Sequence, residues 1–267
     1  MTQYTSEDFV KLALQVSDLA KNAGVTLRVL GAAAFRIHCP NNLKVYDTLE
    51  RALTDVDYVS YSKERDKIER LFMGPSLKYE PVKAAVTPGL FVGRCIFIDK
   101  SNVRPNVDIF LDKLEMNHVI DFKNRLEADY PTIPLAELLL EKMQIVHINE
   151  KDIKDTFILL LEHDLGQGDK ETINLPHIVK IMSEDWGFYY TMTTNLNKIK
   201  GFLTKYHVLT DQQRTTIASR IDKLLQAMEN SSKSFKWKMR SRVGPSKKWY
   251  TEVEEVERAE HLASSQP

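Results

Sequence analysis

Cysteine is scarce in this chain: Cys39 and Cys95 are the only two in 267 residues, and neither lies in a spaced ligand motif. A disulfide framework is therefore not expected, and both thiols read as reduced and partly buried. The seven histidines, His38, His118, His147, His163, His177, His207 and His261, have no Cys or His partners at ligand spacing. No Gly-X-Ser-X-Gly elbow supports a Ser-His-Asp hydrolase. No apolar run approaches the roughly 20 residues of a membrane span. The segment Met1-Thr2-Gln3-Tyr4-Thr5-Ser6-Glu7-Asp8 lacks a basic stretch followed by an apolar one, as a signal peptide would have. A cytoplasmic location and no membrane partner are the expectations. An excess of charge is missing too. Thirty-seven basic residues balance thirty-seven acidic ones, so net charge names no partner. The 43% hydrophobic and 28% charged content is that of a globular protein with ample core.

What is present is a pattern of acids inside apolar runs. Asp55 and Asp57 interrupt Leu53-Thr54-Asp55-Val56-Asp57-Tyr58-Val59, and Asp108 interrupts Val107-Asp108-Ile109-Phe110-Leu111. Both runs read as short strands, in which residues i and i+2 point to one face. A neighbouring strand could then bring Asp108 to the same point. Converging carboxylates repel unless a cation neutralises them, and hard oxygen ligands suit Mg²⁺ with substrate phosphates completing its shell. The bland reading of one Asp-X-Asp is a solvated strand edge whose acids discourage aggregation. Two such interruptions favour a site, because burying these charges without a cation costs several kcal/mol each.

The surrounding pattern alternates strand and helix. Ser6-Glu7-Asp8 opens an amphipathic helix, with serine as N-cap, that ends at Asn22-Ala23-Gly24. Residues 25–30 are β-rich and run into Gly31-Ala32-Ala33-Ala34, a glycine turn whose amides could meet phosphate oxygens. Residues 62–72 read as a helix. Residues 82–86 and 94–98 read as antiparallel strands around Thr87-Pro88-Gly89. From Pro134 the texture becomes helical, and Asn149-Glu150-Lys151-Asp152 opens a helix that runs to Gly166. Gly166-Gln167-Gly168-Asp169 is the linker candidate. Residues 176–230 hold at least three helices, with 191–206 weakly patterned and 211–228 clear. The fold class expected is α+β: a mixed β-sheet flanked by helices over 1–166, then a helical C-terminal domain over 167–267.

The tail is distinctive. Residues 231–250 carry Lys233, Lys236, Lys238, Arg240, Arg242, Lys247 and Lys248 with no acid, interleaved with Phe235, Trp237, Trp249 and Tyr250. Such a stretch suits a nucleic-acid surface, where cations meet phosphates and rings stack on bases. The favoured reading is plainer: the rings pack on the helical domain and the bases pair with the five glutamates of residues 251–260.

Taken together, Leu30-Gly31-Ala32-Ala33-Ala34, Arg51-Ala52-Leu53-Thr54-Asp55-Val56-Asp57 and Val107-Asp108-Ile109-Phe110 resemble the nucleotidyltransferase superfamily. Its pattern is Gly-Gly or Gly-Ser, then Asp-X-Asp, then a third acid. Glu141-Lys142 and Lys151-Asp152-X-X-Asp155 resemble the helical segment of its abortive-infection toxin-type members, so the resemblance spans about residues 25–165. It implies a nucleotidyltransferase-like fold and transfer of an NMP from an NTP to a hydroxyl on RNA, protein or a small molecule. It implies Mg²⁺ or Mn²⁺ on Asp55, Asp57 and Asp108, with Asp108 also the candidate base. Gly31 and Ala32 would hold phosphates, Lys142 and Lys151 would face the triphosphate, and Arg51 and Thr54 would brace the loop or touch nucleotide. An antitoxin protein is an implied partner. Ala32 departs from the pattern and supports the alternative, a catalytically inactive nucleotide-binding or protein-interaction module.

Overall fold

A computed structural model describes residues 4–82 and 93–253. Helix α1 (Ser6–Asn22) is capped by Thr5 rather than Ser6. The Thr5 hydroxyl accepts from the Asp8 amide at 3.2 Å, while the Asp8 carboxylate accepts from the Thr5 amide at 2.9 Å. Starting one residue earlier gains this reciprocal box. Strand β1 (Arg28–Leu30) is shorter than its β-rich sequence and passes directly into α2 (Gly31–His38). A 3-10 turn leads to α3 (Leu43–Thr48), then β2 (Val56–Ser60), a second 3-10 turn at Ser62–Glu64 and α4 (Arg65–Met73). Strand β2 begins after Asp55, so only Asp57 of the acidic pair lies within it.

Strands β3 (Glu80–Pro81), β4 (Arg94–Ile98) and β5 (Val107–Leu111) complete the main sheet. The Val82 amide donates to the Ile96 carbonyl, which extends the β3–β4 pairing; the expected strand at 83–86 and the Thr87-Pro88-Gly89 turn lie outside the described residues. The order is β1-β2-β5-β4-β3, with β2 and β5 parallel and the other pairs antiparallel. This is the expected mixed sheet flanked by helices. A hairpin of β6 (Lys113–Glu115) and β7 (Val119–Asp121) follows.

Helix α5 (Leu135–Met143) is buried at every position, which its run of leucines permits. Helix α6 (Glu150–Glu162) starts where Asn149 accepts from the amides of Lys151 and Asp152. It stops at Glu162, short of Gly166, which lies in β8 (Leu165–Gly166) and pairs with β9 (Ile173–Asn174). The intervening Asp169 accepts two donors from Arg125, which also holds the buried Glu137 of α5. Helices α7 (Leu175–Glu184), α8 (Trp186–Phe202), α9 (Asp211–Asn230) and α10 (Phe235–Val243) form the remainder. One continuous apolar cluster runs from Phe9 to Met228, through the sheet, α5, α6 and the later helices. No helix among the described residues is long and apolar enough to cross a membrane.

Most aromatics of the basic tail serve packing. The Trp237 ring meets Tyr189 edge-on at 5.3 Å, Arg240 lies 4.5 Å over Trp186, and Trp249 donates to Thr191 at 3.0 Å. Phe235 is the exception at 79% exposed. Lys248 pairs with Glu252 at 2.5 Å, while Glu254, Glu255, Glu257 and Glu260 lie outside the described residues.

Candidate functional site

The sheet register assembles the three acids. Asp57 on β2 sits directly beside Asp108 on the parallel β5, and Leu30 at the end of β1 faces Asp57 from the other side. Asp55 immediately precedes β2 and is half-buried, as are Asp57 and Asp108. The Asp57 carboxyl is pushed up to about 8, first by burial, then by the charges of Asp55 and Glu141, with Arg94 and Lys142 pulling it back. Burial and the neighbouring acids thus favour its protonated form.

Gly31 has a structural reason to be glycine twice over. Its φ is +69°, and a Cβ there would lie 2.7 Å from Asp57 Oδ2. The start of α2 can therefore lie against the acidic pair only without a side chain. Leu30 provides no side-chain cap to α2, so the first-turn amides keep their capacity for an anion. The Gly31 amide itself, expected to hold phosphate, donates to buried Glu141 Oε2 at 3.1 Å. Ala32 and Ala33 are the next amides in line.

Asp108 is not a bare carboxylate. Arg94 of β4 donates from Nε to Oδ1 and from Nη2 to Oδ2, a two-pronged pair. Arg94 stands two residues before Ile96, the register partner of Asp108, so it shares the face of the sheet on which Asp108 lies. Its guanidinium also lies 4.8 Å from the ring centre of Phe110, two residues beyond Asp108. Sequence reasoning missed Arg94; the signal available was a lone cation alternating with isoleucines along a strand.

Behind Gly31 lies a second cluster. Lys142 Nζ is 3.1 Å from Glu141, 3.1 Å from Asp155 and 3.4 Å from Asp152. Burial alone would lower its pKa, but Glu141, Asp155 and Asp152 outweigh it and hold the ammonium charged. Arg51 Nε lies 3.0 Å from Asp155, which also accepts from the Tyr46 hydroxyl. Lys142 and Arg51, expected at the nucleotide, thus turn toward buried acids. Lys151 and Thr54 are exposed, Lys151 in the first turn of α6 and Thr54 just ahead of the acidic pair.

The donor set bears on the implied metal. Among the described residues no group of three or more His, Cys, Asp or Glu side chains is disposed to hold a metal ion. Asp55 and Asp57 offer carboxylate oxygens, the hard donors that a divalent cation takes. The oxygens of Asp108 are taken by Arg94.

No family model and no curated protein matches the chain. Among solved structures it is similar to an antigenic nucleotidyltransferase-like protein from Paracoccidioides brasiliensis. The TM-score is 0.38 and the identity 12%, over 86% of this chain and 96% of that one.

Proposed function

We propose that the chain is a divalent-cation-dependent nucleotidyltransferase that moves an NMP from an NTP to a hydroxyl acceptor and releases pyrophosphate. The observation that carries this reading is Asp57 set against the glycine start of α2 and directly beside Asp108 on the next strand, with Asp55 two residues ahead. Asp55 and Asp57 would hold the ion, which when bound polarises the α-phosphate and stabilises the departing pyrophosphate. The amides of Ala32 and Ala33 receive phosphate oxygens at the helix start. Asp108 orients the attacking hydroxyl and accepts its proton as the new P–O bond forms and the bond to pyrophosphate breaks. Lys142 and Arg51 act indirectly, by fixing Glu141 and Asp155 behind the Gly31 turn. The acceptor is RNA, a protein side chain or a small molecule, and the resemblance to abortive-infection enzymes extends the proposal to a toxin held by an antitoxin.

Two observations favour a second reading, a nucleotide-binding or interaction module without turnover: Arg94 already neutralises Asp108, and the Gly31 amide is engaged by Glu141. Incubation with each α-³²P-labelled NTP, Mg²⁺ and pooled RNA separates them. Label moved to RNA or to the protein by wild type, and not by the Asp55→Asn, Asp57→Asn double variant, supports transfer. Mg²⁺-dependent nucleotide binding with no transfer to RNA, protein or a panel of hydroxylated small molecules supports the module.

A further inference from the structure

Helix α10 presents two unlike faces. Its inner side is committed to the fold: the Ser234 amide at its cap donates to the Ser183 carbonyl at 3.0 Å, Trp237 meets Tyr189, and Arg240 lies over Trp186. Its outer side carries Phe235, Lys236, Lys238, Met239, Arg242 and Val243, all exposed. We propose that this outer face binds a single strand of nucleic acid, with a base stacked on Phe235 and phosphates against the flanking cations. Such binding is independent of the transfer chemistry proposed above.

The helical repeat sets the layout. Phe235, Met239 and Val243 follow at i, i+4 and i+8 and form one stripe. Lys238 and Arg242 run along one side of it and Lys236 lies on the other. Phe235 is 79% exposed, far more than Met239 and Val243 at 46% each, so one aromatic face stands open at the first turn. Of the seven cations between residues 231 and 250, three have partners in the chain. Lys233 Nζ donates to Ser231 Oγ at 2.7 Å, Arg240 Nη2 donates to the Lys247 carbonyl at 2.6 Å, and Lys248 pairs with Glu252. Lys236, Lys238 and Lys247 form no ion pair among the described residues, and Arg242 lies 3.9 Å from Met239 Sδ. No acid interrupts residues 231–250, so these four set a local positive field that a run of phosphates would match.

The open ring selects among anionic partners. A lipid surface favours a wide apolar face with several rings at the headgroup level. Here the other rings turn to the protein, Trp237 to Tyr189 and Trp249 to Thr191, and nine residues of helix leave Phe235 alone outside. A duplex keeps its bases stacked on one another and offers that ring nothing. An unpaired strand presents free base faces, and a ring beside cations is how proteins hold such strands.

The test is fluorescence anisotropy of the full chain with a labelled single strand of about 12 nucleotides, without NTP or Mg²⁺. Four phosphate contacts predict a slope of about −3 for log affinity against log salt. Phe235→Ala is expected to weaken binding about tenfold, to leave that slope unchanged, and to leave affinity for a duplex of the same sequence unaltered. The Lys236→Gln, Lys238→Gln double variant is expected to bring the slope to about half. All three side chains are exposed, so urea midpoints should match wild type. No binding of the strand by wild type, or binding indifferent to Phe235→Ala or to the lysine variant, overturns the proposal. So does a Phe235→Ala loss that is equal for strand and duplex, or affinity for phosphatidylserine vesicles with none for the strand. None of these outcomes touches transfer at the acidic site, which the labelled-NTP assay reads separately.

Discussion

Two charge clusters meet at Gly31, and they are balanced in different ways. Behind it, Glu141, Asp152 and Asp155 are held by Lys142 and Arg51, with the Tyr46 hydroxyl and the Gly31 amide as further donors. In front of it, Asp57 lies beside Asp108, which Arg94 holds, and Asp55 stands two residues ahead of Asp57. The first cluster is closed and buried, so its ion pairs orient α2, α5 and α6 about one another. The second is half-exposed, and on the reading proposed above it is where a cation binds. Acids of the same kind thus build the fold on one side and, on the proposed reading, serve its chemistry on the other. Glu141 joins them, because it accepts from the backbone that carries Gly31.

The comparison breaks most visibly at Lys142. Lys142→Met leaves Glu141, Asp152 and Asp155 buried without their shared ammonium, and should lower stability by about 3–5 kcal/mol in urea unfolding. A loss below about 1 kcal/mol would mean that the rear cluster is not structural. At the junction, Gly31→Ala should cost about 2–3 kcal/mol, since the new Cβ meets Asp57 Oδ2 at 2.7 Å in a backbone of φ +69°. Removing nucleotide response along with stability is the accompanying expectation.

The front cluster should behave in the opposite sense. Asp57 has its pKa raised from 3.8 to about 8, so the folded chain holds a proton that the unfolded chain has released. Metal-free stability should therefore fall as pH rises through that window and level off above it. Asp57→Asn should flatten the fall and raise metal-free stability above the window by about 1–2 kcal/mol, less than full linkage because the carboxyl is only half-buried. Equal pH profiles for the two proteins would contradict the assignment. The smallest effect sharpens the contrast. Lys200 and Asp222 form an exposed pair at 2.6 Å, and Lys200→Ala should change stability by less than about 0.5 kcal/mol.

That Asp57 and Asp108 meet on neighbouring strands was legible because each interrupts an apolar β run, whereas Asp55 falls just ahead of its strand. The mixed sheet and the later helices followed from periodicity. What stayed hidden depended on long-range register. Arg94 reaches Asp108 only because β4 and β5 pair with Ile96 opposite Asp108, and no local signal announces that pairing. Lys142 read as a ligand for phosphate because it follows Glu141 on a leucine-rich helix. The helix is buried all round, so its lysine turns to acids inside the protein. Gly166-Gln167-Gly168-Asp169 reads as a loose joint by composition, yet Arg125, far earlier in the chain, fastens Asp169.

Thermal unfolding with NTP, with and without Mg²⁺, tests the claim that the front cluster is a cation-dependent nucleotide site most directly. At about 100 times the dissociation constant, nucleotide should stabilise wild type by about 2.7 kcal/mol. That gain should require Mg²⁺ and vanish in Asp57→Asn. A gain of the same size without Mg²⁺, or one retained in Asp57→Asn, would contradict it.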